Sequence, residues 1–185
     1  MRRLLACLLA GMAGAAAAQN TNDLPQNLGG KSDWELEQEK RNWQEADVRL
    51  PPYPRDDALI EIRVSSDTRF RFFVDPASLS SGPDGVVRYT LVARSPSGYA
   101  NVSYEGIRCA AKEFKVFALG GDGRWTGRAG EWRPIEPKAF QRWHNELYAW
   151  FLCPNRQPIA SAAEGADALR RGGHPAALLD PQNLR

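Results

Sequence analysis

The stretch from Asp84 to Leu119 constrains the fold of this chain most, because apolar and polar residues alternate along it in runs of strand length. Two of these runs, VVRYTLVAR and YANVSYE, flank a turn that begins at Ser95 and ends at Gly98. Proline presets φ at the second position of such a turn, and glycine suits the fourth. The stretch therefore predicts a central antiparallel hairpin, followed by a further strand over Glu113–Leu119.

The position of this turn sets the register of the hairpin, which in turn decides the face on which each side chain lies. With Ser95 opposite Gly98, one face is apolar and the other polar. The predicted apolar pairs are Ala93 with Ala100, Leu91 with Val102 and Tyr89 with Tyr104, and the predicted polar pairs are Val92 with Asn101, Thr90 with Ser103 and Arg88 with Glu105. Gly106 breaks the alternation, so we expect a bulge there that returns Ile107 and Cys109 to the core.

The segment before the central hairpin extends the predicted sheet. The runs Ala58–Val64 and Arg69–Asp75 alternate and predict a second hairpin. Asp75–Leu79 predicts a helical turn capped by Asp75. Leu50–Pro54, LPPYP, can be neither helix nor central strand, so it is expected to run extended. Two interpretations are open for it: a strap that packs on its own domain, or a proline-rich ligand for a partner.

Two helices complete the predicted fold. Ser32 and Glu35 have the spacing of a capping box, which opens a short N-terminal helix to about Ala46. Pro137–Leu152 predicts the main helix, because its large apolar residues recur at helical spacing. The sequence thus predicts an α+β fold: an antiparallel sheet of about five strands built from hairpins, packed with a C-terminal amphipathic helix and a short N-terminal helix.

The first 18 residues predict export. Arg2 and Arg3 precede an uncharged apolar core, and a small-residue site follows, so cleavage is expected after Ala18. Cys7 superficially fits a lipoprotein box, but it lies too early to leave an apolar core before it, which argues against lipid anchoring. Residues 19–31 predict a flexible linker, 32–154 a single domain, and 155–185 a weak helix followed by a loose tail. We expect no transmembrane anchor after signal removal and a periplasmic location.

Charge and cysteine content narrow the classes of function. The net charge of +2 is carried by the two arginines of the export signal, and a neutral exported chain is a poor candidate for binding nucleic acid. Cleavage would leave two cysteines, and an even number in an exported protein predicts a disulfide between Cys109 and Cys153. His144 and His174 are scattered and lack ligand spacing, so no metal and no other cofactor is predicted.

The central run RYTLVARSPSGYANVSYEGIRC, with the upstream LPPYP and FFVDPASL, resembles the cryptic neisserial protein family. This resemblance spans roughly Trp43 to Cys153. It implies a small exported protein of beta-proteobacteria with a single domain in the cell envelope. The family brings no assigned activity, so it implies no catalytic or binding residues.

No catalytic residue is predicted. His144 borders the apolar stripe of the main helix without a recognisable nucleophile motif, so it is either an isolated base or a structural histidine. The candidate binding residues lie on the predicted polar face of the hairpin: Arg88, Arg94, Asn101, Ser103 and Glu105. With Arg63, Arg71 and Thr90 they could form a patch for anionic groups. Alternatively, the face is solvated and laced with ion pairs, or a helix covers it.

Three classes of function are compatible with these features of the sequence. A non-catalytic envelope protein that binds another envelope protein or a cell-wall component fits the absence of catalytic motifs. An envelope hydrolase, or an inhibitor of one, is the second class, and a site that groups His144 with acids would favour the hydrolase. A structural or stress-related stabiliser is the third class.

Overall fold

One open antiparallel sheet of seven strands dominates the computed structural model, which describes residues 32–64, 68–127, 130–137 and 142–179. The strands are β1 (Ile60–Ile62), β2 (Arg71–Ser81), β3 (Val86–Arg94), β4 (Ala100–Arg108), β5 (Glu113–Gly121), β6 (Arg124–Gly127) and β7 (Arg133–Pro134). Strands β1 to β6 lie side by side in chain order, and β7 pairs with β5. The α+β class is confirmed. The expected count of about five strands was too low, because the two short strands β6 and β7 follow β5.

The chain divides into two units, Met1–Glu39 and Lys40–Arg185. The predicted signal and linker lie outside the described residues. Helix α1 (Asp33–Asn42) begins in the first unit with the predicted capping box: the Ser32 backbone N–H donates to Glu35 Oε2 at 2.7 Å, and the Glu35 N–H donates to Ser32 Oγ at 3.4 Å. The helix ends before Ala46. The sheet and the remaining helices belong to the second unit.

Strand β2 is longer than expected. It continues through Ser81, where a helical turn was predicted after Asp75. The pairing of β2 with β3 shifts between Asp75 and Ser80, and Pro76 falls within the shift. There the Asp75 carboxylate accepts the Ala77 N–H at 2.9 Å. A bulge accommodates the proline, which cannot donate to a neighbouring strand, so the strand continues without forming a helical turn.

The central hairpin forms as predicted, but its register is shifted by one residue. Ser95 lies opposite Tyr99 instead of Gly98, because the Ser95 N–H donates to the Tyr99 carbonyl at 2.9 Å. The loop is therefore a three-residue connection, and Gly98 takes the left-handed φ of +85° that closes such a loop. The observed pairs are Arg94 with Ala100, Ala93 with Asn101, Val92 with Val102, Leu91 with Ser103, Thr90 with Tyr104, Tyr89 with Glu105 and Arg88 with Gly106.

This shift separates residues that were expected on one face. In particular, Arg88 and Glu105 are not a cross-strand pair, so their side chains lie on opposite faces. The pairing of β3 with β4 also continues without interruption past Gly106, where a bulge was expected. An irregularity occurs instead between β4 and β5, where Tyr104 pairs with Ala118 and Glu105 with Val116, leaving Phe117 as the extra residue.

Helices cover one face of the sheet, which we call the helix face. The main helix predicted over Pro137–Leu152 is present from Arg142 as α2 (Arg142–Glu146), continued by a π-helical segment (Leu147–Leu152). Residues 138–141 of the prediction lie outside the described residues. These helices join α3 (Ala162–Arg171) over a single apolar core. Its largest fully buried apolar members are Val74, Val87, Tyr89, Leu91, Ile107, Leu147, Leu152 and Ile159.

The opposite face, which we call the strap face, is covered by the extended chain before β1. The proline segment packs there as a strap, as one of its two interpretations proposed. Trp125 Nε1 donates to the Pro51 carbonyl at 2.7 Å, and the Tyr53 ring lies 5.3 Å from the Trp125 ring. A side chain at Gly120 would meet the Tyr53 hydroxyl at 2.8 Å, so this glycine lets the strap approach the sheet.

The described region after Pro154 contains two α-helices. Helix α3 has Ser161 as its N-cap, and α4 (Pro175–Leu178) follows it. His174 links the two helices, because its ring accepts the Ala176 N–H through Nδ1 and contacts Glu164 through Nε2 at 2.9 Å. Ala177 is fully buried, so the described part of the tail belongs to the packed domain.

Candidate functional site

A buried polar cluster lies at the centre of the helix face and consists of Tyr89, Ser103, Glu105 and His144. The Glu105 carboxylate accepts hydrogen bonds from Tyr89 Oη at 2.9 Å and from Ser103 Oγ at 2.6 Å. His144 Nε2 lies 2.9 Å from the same carboxylate oxygen that Tyr89 contacts. The exposed fractions of Tyr89, Glu105 and His144 are 0%, 3% and 1%. Tyr89, Glu105 and His144 therefore join the sheet to helix α2 in the core, while Ser103 is half-buried.

The shifted register explains how the cluster forms. Glu105 is opposite Tyr89 on strands β3 and β4, which brings the phenol to the carboxylate. His144 comes from helix α2, where the Phe114 ring stacks on it with centroids 3.7 Å apart. Because an ionised carboxylate only accepts hydrogen bonds, the proton shared with His144 belongs to Nε2. His144 Nδ1 is buried and has no partner among the described residues.

The environment of the cluster shifts two pKa values in opposite senses. Burial alone raises the pKa of the Glu105 carboxyl, but His144, Ser103 and Tyr89 outweigh it and hold that pKa below its ordinary value. Burial, followed by the nearby Glu105 charge, raises the pKa of the Tyr89 phenol well above its ordinary value. Glu105 is thus kept ionised and Tyr89 neutral, which is the state that satisfies their hydrogen bond.

The order of the contacts differs from that of a catalytic triad. In a triad, histidine lies between the nucleophilic hydroxyl and the carboxylate, so that it can take the hydroxyl proton. In this cluster the carboxylate lies in the middle, and Ser103 donates directly to Glu105. His144 therefore has no contact through which it could activate Ser103. The cluster fits the interpretation of His144 as a structural residue and Glu105 as the group that orients it.

The arginines of the predicted site lie on the strap face. Arg88 is buried and pairs with Asp84, with Nη2 2.5 Å from Oδ2, and its guanidinium lies over the Phe117 ring. Burial raises the pKa of Asp84, but Arg88 and the Ala46 N–H hold it below its ordinary value. Asp84 therefore connects the chain at Ala46 to the turn before β3. Arg88 serves packing and offers no exposed group to a ligand.

Arg94 and Arg71 form a half-exposed corner of the strap face. Both guanidiniums lie over the Phe73 ring, at 5.0 and 5.1 Å from its centre. Each has an acidic partner: Arg94 pairs with Asp56 and Arg71 with Glu61, both at 2.6 Å. Because Asn101, Ser103 and Glu105 lie on the opposite face, these arginines do not share with them the single patch expected from the sequence.

Asn101 and Ser103 lie on the helix face, where the described helices leave one end of the sheet uncovered. The strands pair Leu91 with Ser103, Ser103 with Leu119, and Leu119 with Thr126, so these side chains form one row. Leu91 is buried, but Leu119 is 41% exposed and Asn101 and Thr126 are exposed. We call this surface the open end; its residues are Tyr99, Asn101, Ser103, Leu119 and Thr126.

The five predicted binding residues therefore fall into three places. Arg88 and Arg94 are on the strap face, Glu105 is in the buried cluster, and Asn101 and Ser103 are at the open end. The partners of the buried groups were not predicted from the sequence. The available signal was Gly98, since a three-residue loop with a left-handed glycine places Glu105 opposite Tyr89. Alternation that continues past Gly106 then keeps Glu105 on the same face as Ile107 and Cys109.

The predicted disulfide between Cys109 and Cys153 is confirmed, with Cα atoms 5.4 Å apart. It joins the end of β4 to the end of the π-helical segment, so it fixes the segment that carries His144 against the sheet. Among the described residues, no group of three or more histidine, cysteine or acidic side chains is arranged to hold a metal ion.

Comparison with known proteins places the chain in a family. The model of the CNP1-like family matches residues 38–170, a range that contains all seven strands, the buried cluster and both cysteines of the disulfide. A curated relative, Cryptic neisserial protein 1 of Neisseria gonorrhoeae, is 32% identical over 154 residues, which covers 73% of this chain and 75% of that protein. No solved structure matches the chain.

Proposed function

Because the chain belongs to the CNP1-like family, whose function is uncharacterised, we propose from its own geometry that it is an exported periplasmic protein that binds an envelope component without catalysing a reaction. The component is another envelope protein or a cell-wall component. Binding takes place at the open end of the sheet.

One observation carries this proposal: a single face of the sheet contains both buried ionisable groups and exposed neutral groups. Glu105 and His144, which could perform acid–base chemistry, are enclosed in the core and hydrogen-bonded to each other. Asn101, Leu119 and Thr126 extend the same face and are exposed. This surface presents amide, hydroxyl and apolar groups, with the exposed Arg124 on the same face two residues before Thr126, so it suits hydrogen bonding to a ligand more than acid–base chemistry on it.

Ser103 connects the two regions. Its hydroxyl donates to the buried Glu105 carboxylate, which fixes its orientation and leaves its lone pairs as acceptors. Ser103 is half-buried at the border of the open end. A ligand at the open end would therefore meet a pre-oriented acceptor beside the Asn101 amide. Such preorganisation lowers the cost of ordering side chains on binding.

Export is supported by two features of the chain. Residues 1–18 have the composition of a secretory signal, and the Cys109–Cys153 disulfide is the type of bond that persists in oxidising compartments. No helix in the described part of the chain has the length and apolar character needed to cross a bilayer.

The site of signal cleavage can be tested directly. We expect protein recovered from periplasmic extracts to begin at Gln19 and to carry no lipid, because the small residues before it form a suitable cleavage site. Intact-mass measurement checks this. A mass that includes Cys7 with acyl chains would instead establish a lipoprotein.

Binding at the open end can be tested by capture from chemically cross-linked envelopes. We expect the double variant Asn101→Arg/Leu119→Arg to capture at least tenfold less of the component that the wild-type protein captures. Both side chains are exposed, so folding should change by no more than about 0.5 kcal/mol per site. Protease digestion and glycan analysis of the captured material would distinguish a protein from a cell-wall component.

The matched control for this experiment is Arg71→Ala, which removes an exposed side chain from the opposite face. It should capture as much as the wild-type protein. If Arg71→Ala abolishes capture and the open-end variant does not, the binding surface is the arginine corner of the strap face.

A further inference from the structure

One edge of the sheet lacks a partner strand. Strand β1 pairs with β2 on one side. Among the described residues, no segment other than β2 makes a backbone hydrogen bond to residues 60–64. On the opposite side of the sheet, β6 and β7 pair with the two ends of β5 and the Gly130 N–H donates to the Val116 carbonyl at 2.8 Å, so these two short strands form the edge there. An uncovered edge offers backbone groups for pairing with a further strand.

The edge segment, residues 60–64, has a pattern suited to such pairing. Ile60, Ile62 and Val64 point to the helix face, and Ile60 and Val64 are only half-buried against the core. Glu61 and Arg63 alternate with them and are exposed on the strap face. Glu61 pairs with Arg71, whereas Arg63 has no ion-pair partner among the described residues.

We propose that two copies of this chain pair through β1 in an antiparallel, two-fold arrangement centred on Ile62. In that register Glu61 lies opposite the partner's Arg63, and Arg63 lies opposite the partner's Glu61. Ile60 lies opposite the partner's Val64 on the other face. Each copy therefore matches an opposite charge and an apolar side chain, and the two sheets become one continuous sheet.

Neighbouring registers lack this complementarity. A two-fold pairing centred on Glu61 places two carboxylates directly opposite each other, and one centred on Arg63 does the same with two guanidiniums. Like charges opposite each other destabilise a strand pair. A two-fold axis at Ile62 therefore places opposite charges, or apolar side chains, opposite each other at every position of the edge segment. The edge segment is complementary to itself in this register, as a two-fold symmetric interface requires, so we infer that its partner is a second copy of the chain.

The dimer should be reversible. Pairing of one short strand buries less than the roughly 1,000 Å² expected of a stable interface. The contact therefore depends on backbone hydrogen bonds and the two symmetric charge pairs. It is also separate from the open end, which lies on strands β4 to β6, so loss of dimerisation and loss of envelope capture are independent results.

Sedimentation equilibrium of the purified protein over a concentration series tests the proposal. We expect wild-type protein to show a monomer–dimer equilibrium. Glu61→Arg and Arg63→Glu each replace two opposite-charge pairs with two repulsive ones and should raise the dissociation constant about tenfold or more. The triple variant Glu61→Arg/Arg63→Glu/Arg71→Glu exchanges these charges together with that of Arg71, the partner of Glu61 within the chain, and should restore the wild-type value. Arg124→Glu, at the opposite edge, is the matched control and should have no effect.

Cysteine cross-linking tests the register. A mixture of Glu61→Cys and Arg63→Cys proteins should form disulfide-linked heterodimers under mild oxidation, while neither protein alone should cross-link as efficiently. Wild-type protein is the control for the native cysteines. A monomer at every concentration would overturn the dimer, and a dimer that neither single charge variant weakens would overturn pairing through β1.

Discussion

Replacing His144 with alanine should lower the free energy of unfolding by about 3–5 kcal/mol, because it leaves the Glu105 carboxylate buried without its partner. Removal of one member of a buried pair costs more than loss of the pair, since the remaining charge cannot be solvated. The ring also stacks on Phe114, so its removal opens a cavity in the core. Urea denaturation followed by fluorescence would measure the change.

The matched control is Arg94→Ala, which breaks an ion pair with a largely exposed partner, Asp56. That substitution should cost less than about 1 kcal/mol. A His144→Ala protein as stable as Arg94→Ala would show that Glu105 is solvated or neutral in the folded protein, and the buried cluster would then have no structural role.

The same cluster predicts how stability depends on acid pH. The pKa of Glu105 is lower in the folded protein than in the unfolded chain, so the folded state binds fewer protons at this site. Its contribution to stability is present above the unfolded value, about 4.3, and is lost as pH falls through the lower folded value. Glu105→Gln should remove this part of the acid dependence, which denaturation at several pH values would show.

Replacing Cys109 or Cys153 with alanine should lower the free energy of unfolding by about 2–5 kcal/mol. The bond closes a loop between residues 44 apart in sequence, and the chain-entropy model gives a stabilisation on the order of 4 kcal/mol for such a loop. Both cysteines are buried, with exposed fractions of 0% and 3%. Thermal and urea denaturation of each variant would measure the loss.

The control for this prediction is the wild-type protein denatured under reducing conditions. Its stability should fall to a value similar to that of the double variant Cys109→Ala/Cys153→Ala. Peptide mapping without reductant tests the bond itself. Free thiols at Cys109 and Cys153 in exported protein would contradict the disulfide.

Local patterns were sufficient for several parts of the fold. Alternation along residues 86–94 and 100–108 predicted the two central strands, because side chains alternate between faces in any extended segment. The prolines at 51, 52 and 54 predicted the strap, since proline excludes both helix and central strand. The cysteine count predicted the disulfide. Each of these inferences depends on the chemistry of a short segment.

The register could not be obtained in the same way. Both a two-residue and a three-residue loop fit the sequence Ser95 to Tyr99, and both keep each strand alternating. The choice depends on whether Gly98 takes a left-handed conformation, which it does, with φ of +85°. A shift of one residue then moves Glu105 from an assumed partnership with Arg88 to one with Tyr89.

The candidate site depended on this register and on tertiary packing. The contact between Glu105 and His144 joins residues 39 apart, and no local pattern specifies it. Asp84 was likewise unrecognised as the partner of Arg88, although the two are four residues apart, because the turn that brings them together is set by Gly85 with φ of +72°. Asn101 is exposed and Ser103 half-buried, but they lie on a face that they do not share with the arginines.

The most direct test of the proposed function compares envelope capture by His144→Gln with capture by Asn101→Arg/Leu119→Arg. We predict that His144→Gln, although less stable, captures the same component as the wild-type protein below its unfolding temperature, because His144 is enclosed in the core. The open-end variant should lose capture while its unfolding temperature changes little. Loss of capture in folded His144→Gln protein, with capture retained by the open-end variant, would contradict the proposed function and assign binding to the buried cluster.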